Sequence, residues 1–519
     1  MSRNKSSPIV STIIVGGATF ISRLLGFLRQ SVVSYFFGAT GTADVLNFVF
    51  TIPNNLRKLL AEGALSSAFI PSLTRSHEDD PTLGKSKDLT RSLLTFQLIV
   101  IVPIILVSII FAQPLIQFIG RFPDPQQILL ATDLFRWFIL YLLFISVSSV
   151  LMGVQNSHHQ FLIPSLVPLF FSIAVISGLV IFYESLGVHA QTVGILVGGL
   201  GQVILQLPSF FKLGYSLKPK VHFLTEDFKK VLKKYAPTIS TSIIFMISQQ
   251  ISMSLAATLT IGSVTTFNNA LVFWQLPQGV FAASIATVLF PQMSRQVATG
   301  NRVGLGETVN QGLQGLLFFL LPSTIFIQFL GLEMIHLAYQ HGAYTYESTV
   351  MATEILIILA WGLFGVGAFG FLQRLFYSEQ NYRTPFYVSL GAVVADLVIS
   401  IGLMNTSLGV RALALGNVTA YTIGFLLFLY LAQKKMDSFK FKSLGIFTGK
   451  LFLALILPVV FLGLTDYYWP ISFIQEASGI HWIRFFVRSL SALGLFLLMS
   501  VILKIDFFRY LKRNKNEKK

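Results

Sequence analysis

The sequence predicts an all-α polytopic membrane protein. It has fourteen transmembrane helices, arranged as two six-helix lobes related as parallel repeats, with two extra C-terminal helices. Three observations lead there. The chain of 519 residues is 54% hydrophobic and only 12% charged, whereas soluble domains run near ~25% charged. Apolar runs of the length that crosses a bilayer, about 20 residues, recur from end to end. Two proline landmarks recur at one long period, described below.

In chain order the spans read 9–37, 43–72, 91–113, 130–154, 161–183, 190–211, 236–260, 266–294, 307–331, 349–373, 385–404, 411–433, 447–465 and 483–504. The first follows "MSRNKSSP" and is too long for a removed signal peptide, and it lacks a small-residue cleavage site. The loops between spans carry their charge on alternate sides. Lys212, Lys218, Lys220, Lys229, Lys230, Lys233 and Lys234 lie between spans 6 and 7, and Lys434, Lys435, Lys440 and Lys442 between spans 12 and 13. The tail "RYLKRNKNEKK" is also basic, while "GATGTAD", "ESLGVHA", "TIGS" and the 332–348 loop hold no Lys or Arg. By the positive-inside rule both termini are cytoplasmic. The net charge of +16 therefore reads as a topology signal and a contact for anionic membrane lipids, not as a nucleic-acid surface. There is no cysteine, which excludes disulfides, thiol nucleophiles and Cys-ligated metals.

The repeat is visible in "FIPSLTR" and "LFPQMSR". Pro71 and Pro291 are 220 residues apart, and Pro164 of "HHQFLIP" and Pro385 of "QNYRTP" are 221 apart. Each pair is six spans apart. An even number keeps the orientation, so the repeats are parallel and related about the membrane normal, with substrate expected between the lobes. The domain plan is then 1–212 for the first lobe, 213–235 for a basic linker and 236–433 for the second lobe. A second basic linker follows at 434–446, the two extra spans at 447–505 and the tail at 506–519.

Charges inside the spans need a reason, because one at the bilayer centre costs at least ~2.5–3.5 kcal/mol. Arg23 is 14 residues into span 1, roughly 21 Å along a helix rising ~1.5 Å per residue. Arg57 reaches a similar depth from the other side, and Arg29 is nearer the outer end. Lys58 and Glu62 are an i,i+4 pair, and Asp44 sits at the outer mouth. Such residues either pair and snorkel or serve a function. Arginine keeps its charge and offers a planar fork of donors that suits phosphate. Arg23 and Arg29 are about 120° apart on a straight helix, so both face one cavity only if the helix bends, for instance at Gly16, Gly17 or Gly26.

The segments "SRLLGFLRQ", "FGATGTAD" and "IPNNLRKLLAEGALSSAFIPSLTR", with "FYSEQNYRTP" later, resemble the MurJ (MviN) family of lipid II flippases in the multidrug/oligosaccharidyl-lipid/polysaccharide exporter superfamily. The resemblance implies a non-enzymatic transporter of the bacterial cytoplasmic (inner) membrane, a monomer. It would move lipid II, an undecaprenyl diphosphate carrying a disaccharide-pentapeptide, by alternating access through a cationic cavity. Peptidoglycan biosynthesis and cell shape would depend on it. Spans 13 and 14 would form a groove for the lipid tail. The family's functional residues fall on Arg23, Arg29, Arg57, Asp44 and Glu62, and its acid-or-amide position in span 8 on Gln275. Where the family carries an Asp-Arg pair in that span, this chain has Leu271 and Val272, and the polar residues nearby are Asn268, Asn269 and Gln249. Arg374, near the cytoplasmic end of span 10, is the nearest other cation by helix order, or a helix anchor at the headgroup level.

Asp396 is a lone acid in span 11, with Ser400 one turn on and Asn417 and Thr419 in span 12. Oxygen ligands suit a hard cation, and the family includes members with a sodium site here. Asp396, Ser400 and Thr419 are accordingly a candidate Na⁺ site, the alternative being a hydrogen-bonded aspartate between helices. No cofactor is expected, and coupling would be to Na⁺ or to the membrane potential. The adjacent His158 and His159 read as loop residues. Alternative readings are an exporter of another polyprenyl-diphosphate-linked oligosaccharide, a cation-coupled drug exporter, which would show cavity carboxylates instead, or an enzyme acting on a polyprenyl diphosphate. The scattered acids and the absence of a P-loop, a Ser-His-Asp order or a metal motif speak against the enzyme.

Overall fold

The computed structural model describes residues 8–60, 64–80, 82–223, 225–434, 436, 439, 441–475 and 478–505. The chain forms two compact units, Met1–Val264 and Thr265–Lys519. Among the described residues the secondary structure is helical throughout. That is the outcome lipid imposes, since a helix satisfies its backbone hydrogen bonds internally.

The first unit holds α1 (Pro8–Phe37), α2 (Gly41–Leu60), α3 (Ala64–Asp79), α4 (Gly84–Ile110), α5 (Ala112–Gly120), α6 (Pro125–Phe138), α7 (Tyr141–Ser157), α8 (Leu162–Leu186), α9 (His189–Lys212) and α10 (Glu226–Ala257). Helix α11 (Ser263–Pro277) begins at the boundary. The second unit continues with a π-helical turn (Gln278–Ala282), α12 (Ala283–Ala298), α13 (Arg302–Tyr339), α14 (Tyr346–Trp361), α15 (Leu363–Ser378), α16 (Arg383–Met404), α17 (Arg411–Gln433), α18 (Phe441–Tyr468) and α19 (Gly479–Ile502).

Each of the fourteen expected spans coincides with one helix or a consecutive group of helices. Among the described residues ten helices are long and apolar enough to cross a membrane, or eleven with α14 and α15 taken as one span bent by 47°. The remaining three are α1, α2 with α3, and α10. Loop residues cap the entries: Asp124 Oδ1 accepts from Gln126 N at 2.9 Å with Pro125 at the first helical position, and Asn301 Oδ1 accepts from Gly304 N at 2.8 Å. Both arrangements satisfy backbone donors that a helix start leaves open. Several boundaries differ from expectation: span 9 runs on as α13 to Tyr339, so the first part of the expected 332–348 loop is helix, α10 begins at Glu226 inside the expected basic linker, and α18 runs on to Tyr468.

The repeat is written into the backbone. Residues with left-handed φ recur as Arg121 and Gly342, His159 and Gln380, and Gly187 and Gly409, separated by 221, 221 and 222 residues. Helix breaks recur too, at Ile139–Leu140 in span 4 and at Gly362 in span 10. So do the packing partners. In the first unit α8 packs on α9, α7 and α6 on α9, α3 on α7, and α4 on α7; in the second α16 packs on α17, α15 and α14 on α17, α12 on α15, and α13 on α15. One pair departs from this. Helix α1 packs on α8, but its counterpart α10, counted by sequence with the second lobe, packs on α2, α3, α4 and α5.

The tightest pair of each unit shows how the sequence permits it. A Cβ on Gly194 of α9 would lie 2.7 Å from Val175 Cα and 3.0 Å from Ala174 O of α8. A Cβ on Gly416 of α17, 222 residues later, would lie 2.8 Å from Asp396 O of α16 and would overlap Ser400 Oγ. Small residues at such crossings let helix backbones meet in lipid, where apolar surface alone gives no driving force.

Candidate functional site

Helix α2 organises the expected site in the first unit. Its polar residues Asp44, Asn47, Thr51, Asn54 and Asn55 recur every three or four positions and so share one face. Asp44, Asn47, Thr51 and Asn55 are buried. Gln30 of α1 donates to Asn47 Oδ1 at 3.1 Å, and Asn47 Nδ2 donates to Ala43 O at 2.9 Å. The sequence reading singled out only the charges of this helix. The same spacing, counted over amides and hydroxyls, would have exposed the whole face.

The arginines divide. Arg29, half-buried, lies over two aromatic rings, with its guanidinium carbon 5.6 Å from the centroid of Phe50 on α2 and 5.3 Å from that of Phe171 on α8. These two rings are themselves stacked at 6.3 Å. Arg57 receives support from its own helix: Asn54 Oδ1 accepts from Nε at 3.1 Å and from Nη2 at 3.0 Å. Arg29, Arg57 and Tyr141 of α7 lie within electrostatic reach of one another. Arg23 is exposed, and none of the described residues hydrogen-bonds to it or pairs with it. Helix α1 is unbroken from Pro8 to Phe37, so Arg23 and Arg29 leave it in different directions. The Lys58 and Glu62 side chains lie outside the described residues.

Asp44 is 4% exposed and accepts the backbone N–H of Gly262 at 2.7 Å. Gly262 has φ +91°, and a Cβ there would lie 2.7 Å from Ala39 O. Only glycine fits that turn without strain. The contact ties the start of α2 to the segment that follows α10, within the first unit.

In the second unit Gln275 is exposed on α11, and Leu271 and Val272 are half-buried. Arg374 of α15 donates to Thr287 Oγ1 of α12 at 3.2 Å. Gln278, in the π-turn, donates to Leu363 O at the α14–α15 break at 2.6 Å. Two polar links thus join spans 8 and 10. Asp396, 1% exposed, accepts from Ser400 Oγ at 3.2 Å. The pair sits at the α16–α17 crossing against Gly416, the place that Gly178 and Gly194 occupy in the first unit. No hydrogen bond joins Thr419 to either residue. Among the described residues no group of three or more His, Asp or Glu side chains is placed to hold a metal. His158 ends α7 and its Nε2 meets the Tyr215 hydroxyl at 3.0 Å, while His159 takes the left-handed turn.

One group of charges was missed by sequence. Glu333, Asp466, Arg484 and Arg488 meet at the ends of α13, α18 and α19. Spans read as ending at 331 and 465 left both acids in loops. Arg484 and Arg488, four residues apart at the start of the last span, were the available signal.

An all-helical, internally repeated chain with cations on intramembrane helices defines a two-unit membrane transporter. The comparisons with known proteins agree and go further. The family described as lipid II flippase MurJ matches residues 33–480, and the chain belongs to that family. A Borreliella burgdorferi protein described as a probable lipid II flippase MurJ is 36% identical over 428 residues, covering 82% of this chain and 84% of the relative. A Thermotoga maritima protein of the same description is 27% identical, covering 82% and 86%. Among solved structures, a lipid II flippase MurJ in an inward closed conformation superposes with a TM-score of 0.77 at 25% identity, covering 96% of this chain and 99% of that one. An inward-facing multidrug resistance MATE family transporter shares the fold, with a TM-score of 0.67 at 16% identity, covering 82% and 100%.

Proposed function

We propose that this chain moves lipid II from the cytoplasmic to the outer leaflet of the bacterial cytoplasmic membrane, both termini facing the cytoplasm. The diphosphate is held by Arg29 and Arg57, while Arg23, which leaves α1 in a different direction, meets the headgroup on its way to that site, and the headgroup site opens alternately to the two faces. The observation that carries this reading is that Arg29 of α1 and Arg57 of α2 lie within electrostatic reach of each other and of Tyr141, in a family whose members are named for lipid II. Arg29 is oriented by ring faces, which leaves its donor edge free for an oxyanion. Arg57 is braced by the Asn54 amide on its own helix. An exposed Arg23 at mid-depth requires water or an anion as its neighbour. The helix pair α18–α19 carries the polyprenyl tail.

The test is complementation of a flippase-deficient cell together with transport of fluorescent lipid II in proteoliposomes. Arg29→Ala and Arg57→Ala should abolish both, and Arg57→Lys should restore them only in part, since lysine lacks the bidentate fork. Wild-type transport with alanine at both positions, at equal protein level, would refute the clamp. Transport of a different polyprenyl-diphosphate-linked oligosaccharide in preference to lipid II would favour the exporter reading.

For coupling, the same reading assigns either Na⁺ at Asp396 and Ser400 or the membrane potential. The two differ in one measurement. Replacing Na⁺ by K⁺ at a fixed potential slows transport only under the first, and Asp396→Asn then removes the Na⁺ dependence.

A further inference from the structure

Arg488 is the largest fully buried side chain among the described residues, and nothing in the headgroup site uses it. It lies on α19, one turn after Arg484. Glu333 of α13 accepts from both guanidiniums through the same oxygen, Oε1. Asp466 of α18 accepts from Arg484 Nη2 at 2.8 Å and from Arg488 Nη2 at 2.7 Å. Further donors go to α18 and the residue after it: Arg488 Nε to Thr465 Oγ1 at 2.9 Å, Arg488 Nη2 to Leu462 O at 3.2 Å, and Arg484 Nε to Trp469 O at 3.0 Å. Glu333 and Arg484 are 2% and 3% exposed, and Arg488 is 0%.

Two cations and two anions make the cluster neutral, yet burying it is a poor way to gain stability. Buried ion clusters can often be replaced by apolar groups at no loss. The same three helices are already held together at two other levels, by Leu330, Leu462 and Ala492, and by Phe318, Leu451 and Phe496. Apolar faces in lipid specify register weakly, because sliding changes little apolar burial. The charges specify it strongly. A shift of one helical turn, about 5.4 Å, would strand two buried guanidiniums. The connection is tied as well: Gln340 Nε2 donates to the carbonyls of Phe473 at 2.6 Å and Gln475 at 3.1 Å. Exposed Tyr467, Tyr468 and Trp482 beside the cluster mark the level of a membrane–water interface.

We propose that Glu333, Asp466, Arg484 and Arg488 are a positioning element that sets the depth and rotation of the α18–α19 pair on α13. By doing so they align the pair's apolar outer stripe, Ile456, Val460 and Leu464 on α18, with the polyprenyl tail of the substrate. This rests on the reading that the pair carries that tail.

The test uses the full chain in proteoliposomes with two probes, lipid II and a farnesyl-tailed analogue bearing the same headgroup. The triple variant Glu333→Leu, Arg484→Met, Arg488→Met keeps the helices apolar and packed. Its transport ratio of lipid II to the short-tailed analogue should fall about tenfold, the effect of losing ~1.4 kcal/mol of tail alignment. A loss of folded protein alone lowers both rates equally. Register is read separately by adding Leu330→Cys and Ala492→Cys to the cysteine-free chain. The disulfide should form readily in the native background and fall several-fold in the triple variant. An unchanged ratio with unchanged crosslinking overturns the proposal. If the triple variant does not accumulate, Asp466→Asn, at a half-exposed position, is read by the same two measurements and the same outcomes decide. If the native chain transports neither probe, the function proposed above fails, while the crosslinking still decides whether the charges set the register.

Discussion

Removing the Asp44 carboxylate tests a contact whose cost follows from the structure. Asp44 is buried and its Oδ2 accepts the Gly262 N–H at 2.7 Å. A hydrogen bond to a charged group contributes ~1.5–3 kcal/mol, and a neutral one ~0.5–1.5 kcal/mol. Asp44→Ala leaves the Gly262 donor without its partner, so the segment after α10 should open more often by that amount. At ~1.4 kcal/mol per factor of ten, amide exchange across residues 258–264 should accelerate by roughly 10- to 150-fold. Asp44→Asn keeps a neutral acceptor, so only the difference, about 1–1.5 kcal/mol, is lost and exchange should accelerate by about 5- to 12-fold. Gly262→Ala attacks the contact from the other side, through a strained φ and a Cβ 2.7 Å from Ala39 O. Because both changes break one contact, their effects should not add. The assay is hydrogen exchange read by mass spectrometry on detergent-solubilised protein, with the centre of α2 as an internal control. Unchanged exchange at 258–264 in Asp44→Ala, or full additivity in the double variant, would refute the assignment of this carboxylate as the tie.

Two further expectations come from other parts of the chain. Gly194→Ala places a methyl against backbone on α8 and should destabilise by ~1–3 kcal/mol; Gly416→Ala should do the same on α16, and a melting temperature in detergent equal to wild type for either would show that the crossing can relax. Asp80 accepts from Thr82 Oγ1 at 2.6 Å and from Lys85 N at 3.0 Å, and these bonds, the Thr82 hydroxyl first, hold its carboxyl below the ordinary value. The turn should therefore be fully protected above the ordinary carboxylate pKa and lose protection as pH falls through the lowered one, a dependence that Asp80→Asn should abolish in exchange measurements on residues 80–86.

The number of spans and their repeat were legible in the chain by itself. Apolar length and loop charge are local properties, and a bilayer reads them residue by residue. The repeat survived because its landmarks are prolines and turn residues, whose backbone demands do not depend on neighbours. The pairs Arg121 and Gly342, and His159 and Gln380, take the same left-handed turn with quite different side chains. The cations of α1 and α2 were legible for a similar reason: an unexplained charge in lipid is conspicuous wherever it packs.

What those charges touch was decided only by tertiary structure. No spacing says that Arg29 leans on Phe50 and Phe171 while Arg23 stays exposed, because ring and guanidinium come from three different helices. Helix α10, the repeat counterpart of α1, packs on α2 to α5, although the period assigns it to the second lobe. A period fixes equivalence of segments, not which neighbours they choose. The Glu333–Asp466–Arg484–Arg488 cluster shows the limit most clearly. Its members lie up to 155 residues apart, on helices whose ends hydropathy placed short, and each alone reads as an ordinary interfacial charge. Their burial follows from three helix ends meeting at one depth, which is a property of packing in three dimensions.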